Sequence, residues 1–430
     1  VKECGETTPR LCRKRATRGK SEFSLAGIAP TFSGVKPFGG SGLFLPVMKL
    51  PLLLVLAMGC PLALAQDTKP PAAAPTPRPA RSAPVQSPQL NPDGSVTFRL
   101  RAPKASEVKV SGQFGKDTAL TRDEAAKDSG LWTATVPNVP AGVHEYRFVV
   151  DGLATIDPQN PWVKPQRWPN TSILHVPAQP PAPWDLQDVP HGTVHLHDYH
   201  SKALGTWRRL VVYTPPSYPK GARLPVLYLS HGYSDNEGSW TVHGKAHWIL
   251  DSLIASGRAQ PMVVVMPDAH PIAPGAVGFE EYAPKNSEAL CDELVQDIIP
   301  LVESHYRVAS KPESRAFAGL SMGGHHAFTV ALNHHDRFHW IGAFSAAPPK
   351  QASVAAGLDA SKAVNQHLRL LWVACGTKDF LIEQNRSFHG LLEAKAIRHE
   401  YVETEGDHSW PVWRRYMVDF VPRLFRTARP

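Results

Sequence analysis

The chain has 430 residues, 42% hydrophobic and 20% charged, with 31 Gly and 42 Pro, which excludes wholesale disorder and a collagen-like repeat and leaves room for two or three domains. Its formal charge of +8 raises the question of a nucleic-acid or anionic-membrane partner, but the excess is local: residues 1–47 carry eight Lys or Arg against three Asp or Glu, while residues 66–430 carry 37 against 35. The basic cluster lies upstream of a targeting signal, so no nucleic-acid partner is expected.

That signal starts at Met48. The run MKLPLLLVLAMGCPLALAQ has a positive residue, an apolar stretch and the small-x-small triplet Ala63-Leu64-Ala65 before Gln66, the form of a secretory signal peptide cleaved after Ala65. Pro51, Gly59 and Pro61 break the apolar stretch, which falls short of the roughly 20 residues a membrane-spanning helix needs, so no permanent membrane span is expected. A signal peptide belongs at an amino terminus, so residues 1–47 read as a gene-model extension and the product as secreted or periplasmic. Only Cys291 and Cys375 remain downstream as structural cysteines, either a disulfide or two buried thiols.

Residues 66–90, rich in Pro, Ala, Ser and Thr, read as an extended tether. Beyond it, Ser95–Leu100, Glu107–Val110, Trp132–Val136 and His144–Val150 are short β-branched and aromatic runs separated by turn residues such as Pro92-Asp93-Gly94, which predicts a small β-sandwich over 91–177. Its Trp132, Tyr146 and Trp162 are either core or a platform for sugar rings. A Pro-rich joint at 178–190 precedes a different texture over 191–430. Apolar runs at 210–213, 225–230, 262–266, 316–320, 340–345 and 368–375 alternate with helical patterns at 246–256, 287–306, 322–334 and 384–394. That alternation predicts a parallel sheet covered by helices, with sites at the carboxyl ends of its strands.

The chemistry concentrates there. Gly319-Leu320-Ser321-Met322-Gly323 follows a strand pattern and opens a helical one, the arrangement of a nucleophile elbow, in which flanking glycines permit a tight turn that lifts the Ser hydroxyl. A Ser hydroxyl needs a base and a group to orient that base. Downstream, the run LRLLWVACG ends in Thr377-Lys378-Asp379, and Gly406-Asp407-His408-Ser409-Trp410 precedes the last helical segment. Asp379 is thus predicted to orient His408, with Glu383 and Asp407 as rival acids. The strand-like Pro225–Ser230 runs into His231-Gly232-Tyr233, where a Gly lets backbone approach a substrate carbonyl. The backbone N–H groups of Tyr233 and Met322 are the candidate oxyanion donors, with His231 bracing the loop. His195 and His197 alternate near His191 and His200, but no Cys or suitably spaced carboxylate completes a site, so no metal is expected. With no phosphate loop and no dinucleotide fingerprint, no cofactor is expected either.

On the stretches RRLVVYTPPSYP, LPVLYLSHGYSDNEGSW, FAGLSMGGHHAF, CGTKDF and EGDHSWPVWRRYMVDFVPRLF, the region from His191 to Phe425 resembles the carbohydrate esterase family of feruloyl and acetyl xylan esterases, within the esterase D and enterochelin esterase-like group. PDGSVTFRLRAP, GLWTATV and AGVHEYRFVVDG resemble the immunoglobulin-like module that precedes many glycan-active enzymes. The resemblance implies an α/β-hydrolase fold with an N-terminal immunoglobulin-like β-sandwich and supports the roles given to Ser321, Asp379, His408, Tyr233 and Met322. It implies a serine esterase releasing ferulate or acetate from plant polysaccharide, with a small-molecule or polysaccharide-linked ester as partner. A catecholate siderophore esterase, for which Lys285 and Arg386 would supply positive charge, is the alternative; a non-catalytic glycan-binding protein is the further one. Trp240, Trp410 and the loop 267–287 are the candidate substrate contacts.

Overall fold

In the computed structural model, residues 85–123, 130–218, 220–273 and 275–426 are described. The predicted extension 1–47, the leader 48–65 and the tether as far as residue 84 lie outside them. The first domain is a pair of sheets. One has the order β1 (Gln89–Leu90), β2 (Val96–Arg101), β6 (Leu131–Val136), β5 (Thr121–Arg122); the other has β4 (Thr118–Ala119), β3 (Val108–Gly112), β7 (Gly142–Val150), β8 (Leu153–Thr155), with β9 (Ser172–Val176) also paired to β7. Alternate residues of these strands, among them Val96, Phe98, Leu100, Val108, Val110 and Phe148, point inward and close one core, as period-two side chains must when one face of each sheet is wet.

Two of the three aromatics offered as a sugar platform belong to that core. Trp132 donates its indole N–H to the Ala102 carbonyl, and the Tyr146 hydroxyl donates to the buried carboxylate of Asp157. Of the three, only Trp162 is exposed, at 59%, with the Lys245 ammonium 5.6 Å from its ring centre. The expected boundary at residue 91 also moves, because Ser87 is buried and its hydroxyl donates to Asp157 at 2.6 Å. The joint 178–190 is packed by its own residues: Asp185 is buried and accepts from the backbone N–H of Ala178 and Ala182 and from His175.

The second domain is an eight-stranded sheet in the order β10 (Thr193–Ser201), β11 (Thr206–Thr214), β13 (Val263–Pro267), β12 (Val226–Ser230), β14 (Arg315–Leu320), β15 (Trp340–Phe344), β16 (Leu370–Gly376), β17 (Glu400–Thr404). β10 and β11 pair antiparallel, β11 meets β13 antiparallel, and the other pairs are parallel. The apolar runs explain the burial. Val226, Tyr228, Val263 and Val265 face a layer that includes Leu290, Ile298, Phe328 and Leu392, while Leu227, Leu229, Val264 and Met266 face one that includes Ile249, Leu250, Tyr416 and Phe420. A sheet clothed on both faces in this way is the physical counterpart of continuous apolar strands.

The helix expected over 287–306 differs in detail. It begins earlier, at Phe279, contains Pro284, passes through a π turn at Leu294–Ile298 and resumes at Ile299–His305. Pro300 lacks the N–H that would bond four residues back, and a local change to wider register accommodates that loss. The supposed loop 267–287 is therefore only the segment 268–278. Cys291 and Cys375 are free and buried, and burial pushes both thiols up to about 12.

The two domains share a tight seam. Arg414, 1% exposed, donates from one guanidinium nitrogen to the carbonyl of Val143 on β7 and from another to that of His243, both at 3.0 Å. Burial pushes this guanidinium down to about 9, so the two carbonyl acceptors are what make its presence there tolerable. Among the described residues no helix is long and apolar enough to cross a membrane.

Candidate active site

The chain runs from β12 out to β13 on one side and returns to β14 on the other, so a crevice opens at the carboxyl ends of β12 and β14. Such a reversal of strand order is where open α/β sheets place their sites. One residue, Ser321, separates the end of β14 from the helix Met322–Asn333. Its backbone sits at φ 54°, ψ −111°, a region that costs a non-Gly residue on the order of 1–3 kcal/mol and must be held by its surroundings. Three hydrogen bonds hold it. The Ser321 N–H donates to Phe344, and the Ser321 carbonyl accepts from the N–H groups of His325 and Ala347.

The glycines of the motif are needed for space. A Cβ on Gly319 would lie 2.5 Å from the carbonyl carbon of Gly323, and one on Gly323 would lie 2.6 Å from the carbonyl oxygen of Ser230. The turn can fold back on itself only because both side chains are absent.

Across from this turn, β16 ends at Gly376 and delivers Asp379, while the loop after β17 delivers His408. The His408 Nε2 lies 3.0 Å from the Ser321 Oγ, and its Nδ1 lies 3.0 and 2.9 Å from the two carboxylate oxygens of Asp379. A carboxylate can only accept, so Nδ1 carries the proton and Nε2 offers its lone pair to the serine hydroxyl. Asp379 is 2% exposed. Burial alone would raise its carboxyl, but the bonds from His408 and from the Leu381 N–H outweigh it and hold the group below its ordinary value of 3.8. The rivals are engaged elsewhere: Glu383 pairs with Arg386, and Asp407 accepts from the Ser409 hydroxyl.

A depressed carboxyl contributes stability that is complete above its unfolded value and is lost as pH falls through the folded one. The margin in thermal unfolding by which the wild type exceeds Asp379→Asn should therefore be full at neutral pH and shrink below pH 3.8. A margin that stayed constant down the acid range would contradict the assigned charge state.

The predicted oxyanion donors lie on His231-Gly232-Tyr233 and at the helix start. A Cβ on Gly232 would lie 2.8 Å from the Leu320 side chain and 3.7 Å from the Cβ of Ser321, so this glycine brings the loop after β12 against the nucleophile turn. His231 is buried, accepts at Nε2 from the Ala269 N–H and donates from Nδ1 to the Gly232 carbonyl at 2.8 Å. Met322 begins a helix of twelve residues, so its N–H is one of the donors left over at a helix start, at the positive end of the dipole. Ser321, the two N–H groups and His408 together can place a hydroxyl beside a base and face a developing oxyanion with donors.

The predicted substrate contacts are not at the surface. Trp240 is 1% and Trp410 2% exposed; their rings pack edge to face at 5.1 Å, and the Trp240 indole N–H donates to the Ser230 carbonyl. Gly244 lies against both rings. Buried at this depth, both indoles belong to the core and offer no face to a ligand. Adjacency to His408 in sequence placed Trp410 near the base but not toward solvent, because the helix Trp410–Phe420 begins there and turns it inward.

Other aromatics are exposed. Phe380, the residue after Asp379, is 74% exposed with its ring 4.4 Å from that of His408; Tyr233 is 41% exposed. A third, Trp168, 62% exposed, comes from the first domain, where Arg167 lies between its ring and that of Tyr233, at 5.2 and 4.1 Å. Phe380 was legible as the neighbour of the acid. Trp168 and Arg167 carry no local signal, since nothing in the sequence couples them to a loop more than sixty residues away.

The histidine pairs take structural places. His195 bonds the Thr214 hydroxyl and His197 that of Tyr306, while His326 is buried between Ser230 and Asn286. Among the described residues no group of three or more His, Cys, Asp or Glu is arranged to hold a metal ion.

Comparison with known proteins adds relatives to this geometry. A family model described as putative esterase matches residues 201–424, and one described as carbohydrate-binding module 48, the isoamylase N-terminal domain, matches residues 86–163. The chain is 30% identical over 373 residues to an endo-1,4-beta-xylanase/feruloyl esterase of Xylanibacter ruminicola, which covers 84% of this chain and 49% of that protein. The chain thus spans about half the length of that curated relative. A ferulic acid esterase of Anaeromyces mucronatus, solved with ferulic acid, shares 25% identity at a TM-score of 0.50, over 56% of this chain and 93% of its own. The enterobactin esterase of Shigella flexneri shares the fold at 20% identity and a TM-score of 0.53, over 76% of this chain and 92% of its own.

Proposed function

The chain belongs to the putative esterase family, and from that premise we propose that it is a carbohydrate-directed serine esterase that releases ferulate or a related hydroxycinnamate from plant polysaccharide. The observation that carries this reading is the hydrogen-bonded line Ser321, His408, Asp379, with distances of 3.0 and 2.9 Å, set inside a rim of exposed aromatic side chains. In it, His408 Nε2 takes the Ser321 proton as Oγ attacks the ester carbonyl, and the N–H groups of Tyr233 and Met322 receive the negative charge on the carbonyl oxygen. Collapse expels the alcohol, which receives the proton from His408 and leaves an acyl-enzyme on Ser321. Water, deprotonated by His408, then releases the acid by the same steps in reverse order.

Phe380, Tyr233 and Trp168 support an aromatic acyl group or a sugar ring against them, since flat apolar faces left open at a site mark where a ligand covers them. The relative from Xylanibacter ruminicola, named for xylanase and feruloyl esterase activity, supports the same substrate class. The module over 86–163 supports contact with glycan, with Trp162 its exposed aromatic. Export through the leader 48–65 fits a polymer outside the cell. Against the siderophore alternative, Lys285 is paired with Glu281, and Arg386 with Glu383 and Glu403, so neither cation is free for a catecholate.

The test is hydrolysis of methyl ferulate beside p-nitrophenyl acetate by the chain from Gln66 onward. Turnover of methyl ferulate at a kcat/KM at least comparable with the activated acetate is expected. Acetate turnover alone would keep the esterase and remove the ferulate, and inactivity on every activated ester would favour a non-catalytic binding protein.

A further inference from the structure

The oxyanion donor assigned to Tyr233 is one backbone N–H, and its direction depends on how firmly the two peptide planes around it are held. The plane before it is fixed from within the catalytic domain. The Gly232 carbonyl accepts from His231 Nδ1 at 2.8 Å and from the Asp235 N–H at 3.2 Å. In a planar trans peptide the N–H points opposite to the C=O, so these two bonds aim the Tyr233 N–H.

The plane after it is fixed from outside that domain. Arg167, in the segment between β8 and β9 of the sandwich, donates from Nε and Nη2 to the Tyr233 carbonyl at 2.8 and 2.6 Å, and its guanidinium lies 4.1 Å from the centre of the Tyr233 ring. The Arg167 N–H donates to the Ser234 carbonyl at 2.9 Å, and Gln166 forms a β-bridge with Asp235. Two further contacts fasten the same segment: the Ser239 hydroxyl donates to the Pro165 carbonyl at 2.6 Å, and the Lys164 ammonium lies between Glu145 and Asp235 at 3.0 and 3.7 Å. A forked, charged donor pair on a single carbonyl is stronger and more directional than a neutral hydrogen bond.

We infer that Arg167 is a positioning residue for the oxyanion hole, so that the sandwich module takes part in turnover of every ester, including small soluble ones that never touch a glycan. The inference rests on the esterase reading. It assigns the module a part in the rate of the chemical step, distinct from any in holding polysaccharide: it acts by keeping a donor aligned to a charge that exists only in the transition state.

The experiment uses the full chain with p-nitrophenyl acetate, a substrate too small to need the module for binding. Arg167→Ala should lower kcat by about 10- to 100-fold, less than the loss of an oxyanion donor itself, with little change in KM. Inhibition by phenylboronic acid, whose adduct with the serine carries the oxyanion charge, should weaken in step with kcat. Guanidinium salt added to the Ala variant should restore part of the rate, and Arg167→Lys, which keeps the charge but not the fork, should fall between. A kcat within threefold of wild type, or a raised KM at unchanged kcat, overturns the inference while leaving the esterase reading intact. If Arg167→Ala unfolds early, Arg167→Lys decides by the same criteria, a wild-type kcat and boronate affinity overturning the inference. A wild type inactive on all esters overturns both.

Discussion

Replacing Ser321 by Ala is expected to lower kcat on methyl ferulate and on p-nitrophenyl acetate by roughly four to six orders of magnitude, because no other group then stands where His408 Nε2 can activate it. The protein should fold as before. The strained φ of 54° is held by backbone bonds to Phe344 and from His325 and Ala347 that do not involve the hydroxyl, and Ala tolerates that backbone no worse than Ser. The Oγ makes a single described bond, to His408, at a half-buried position. The unfolding midpoint of the variant should therefore match the wild type closely, and a fluorophosphonate probe that labels the wild type should leave it unmodified. Activity above one part in a hundred in a folded, unlabelled variant would move the nucleophile elsewhere.

Exchange of Asp379 for Asn should cost about 10⁴ in kcat with KM little changed, through the direction of one proton. In the wild type the carboxylate accepts from His408 Nδ1 through both oxygens. An Asn amide can instead donate to Nδ1, which moves the ring proton to Nε2 and turns a hydrogen toward the Ser321 Oγ in place of a lone pair. The bond from the Leu381 N–H survives on the amide oxygen, so geometry is kept while function is lost. Glu383→Gln and Asp407→Asn serve as controls, expected within a few fold of wild type because these carboxylates are spent on Arg386 and Ser409. A loss of less than tenfold in Asp379→Asn, or a large loss in either control, would reassign the acid.

The site was readable where local sequence and geometry coincide. Gly319 and Gly323 announce a turn because nothing larger fits 2.5 Å from backbone, and the runs before Ser321, Asp379 and His231 are apolar enough to require strands that bring three distant segments to one edge of the sheet. Direction was not readable. Trp240 and Trp410 are predicted from sequence as substrate contacts, yet both side chains are buried, since the rotational phase at which a helix starts is set by packing that the sequence does not display. Of the two readings open for Trp132, Tyr146 and Trp162, the first two take the core one, on the inward side of β6 and β7, and Trp162 is exposed. The start of the helix at Phe279 falls inside the segment 267–287 read as a loop, and the helix contains its Pro284. Arg167 and Trp168 had no local signature at all, because their meaning arises only once two separately folding textures are docked.

Arg414 sets a limit on how this chain can be rearranged. Its guanidinium, 1% exposed, bonds both the Val143 and His243 carbonyls, one on each side of the seam. The sandwich is therefore not a cassette that can be clipped off or exchanged at the Pro-rich joint: any replacement would have to present a backbone oxygen at the position of Val143. Lengthening the joint would not loosen the pair either, since the bolt passes beside it rather than through it.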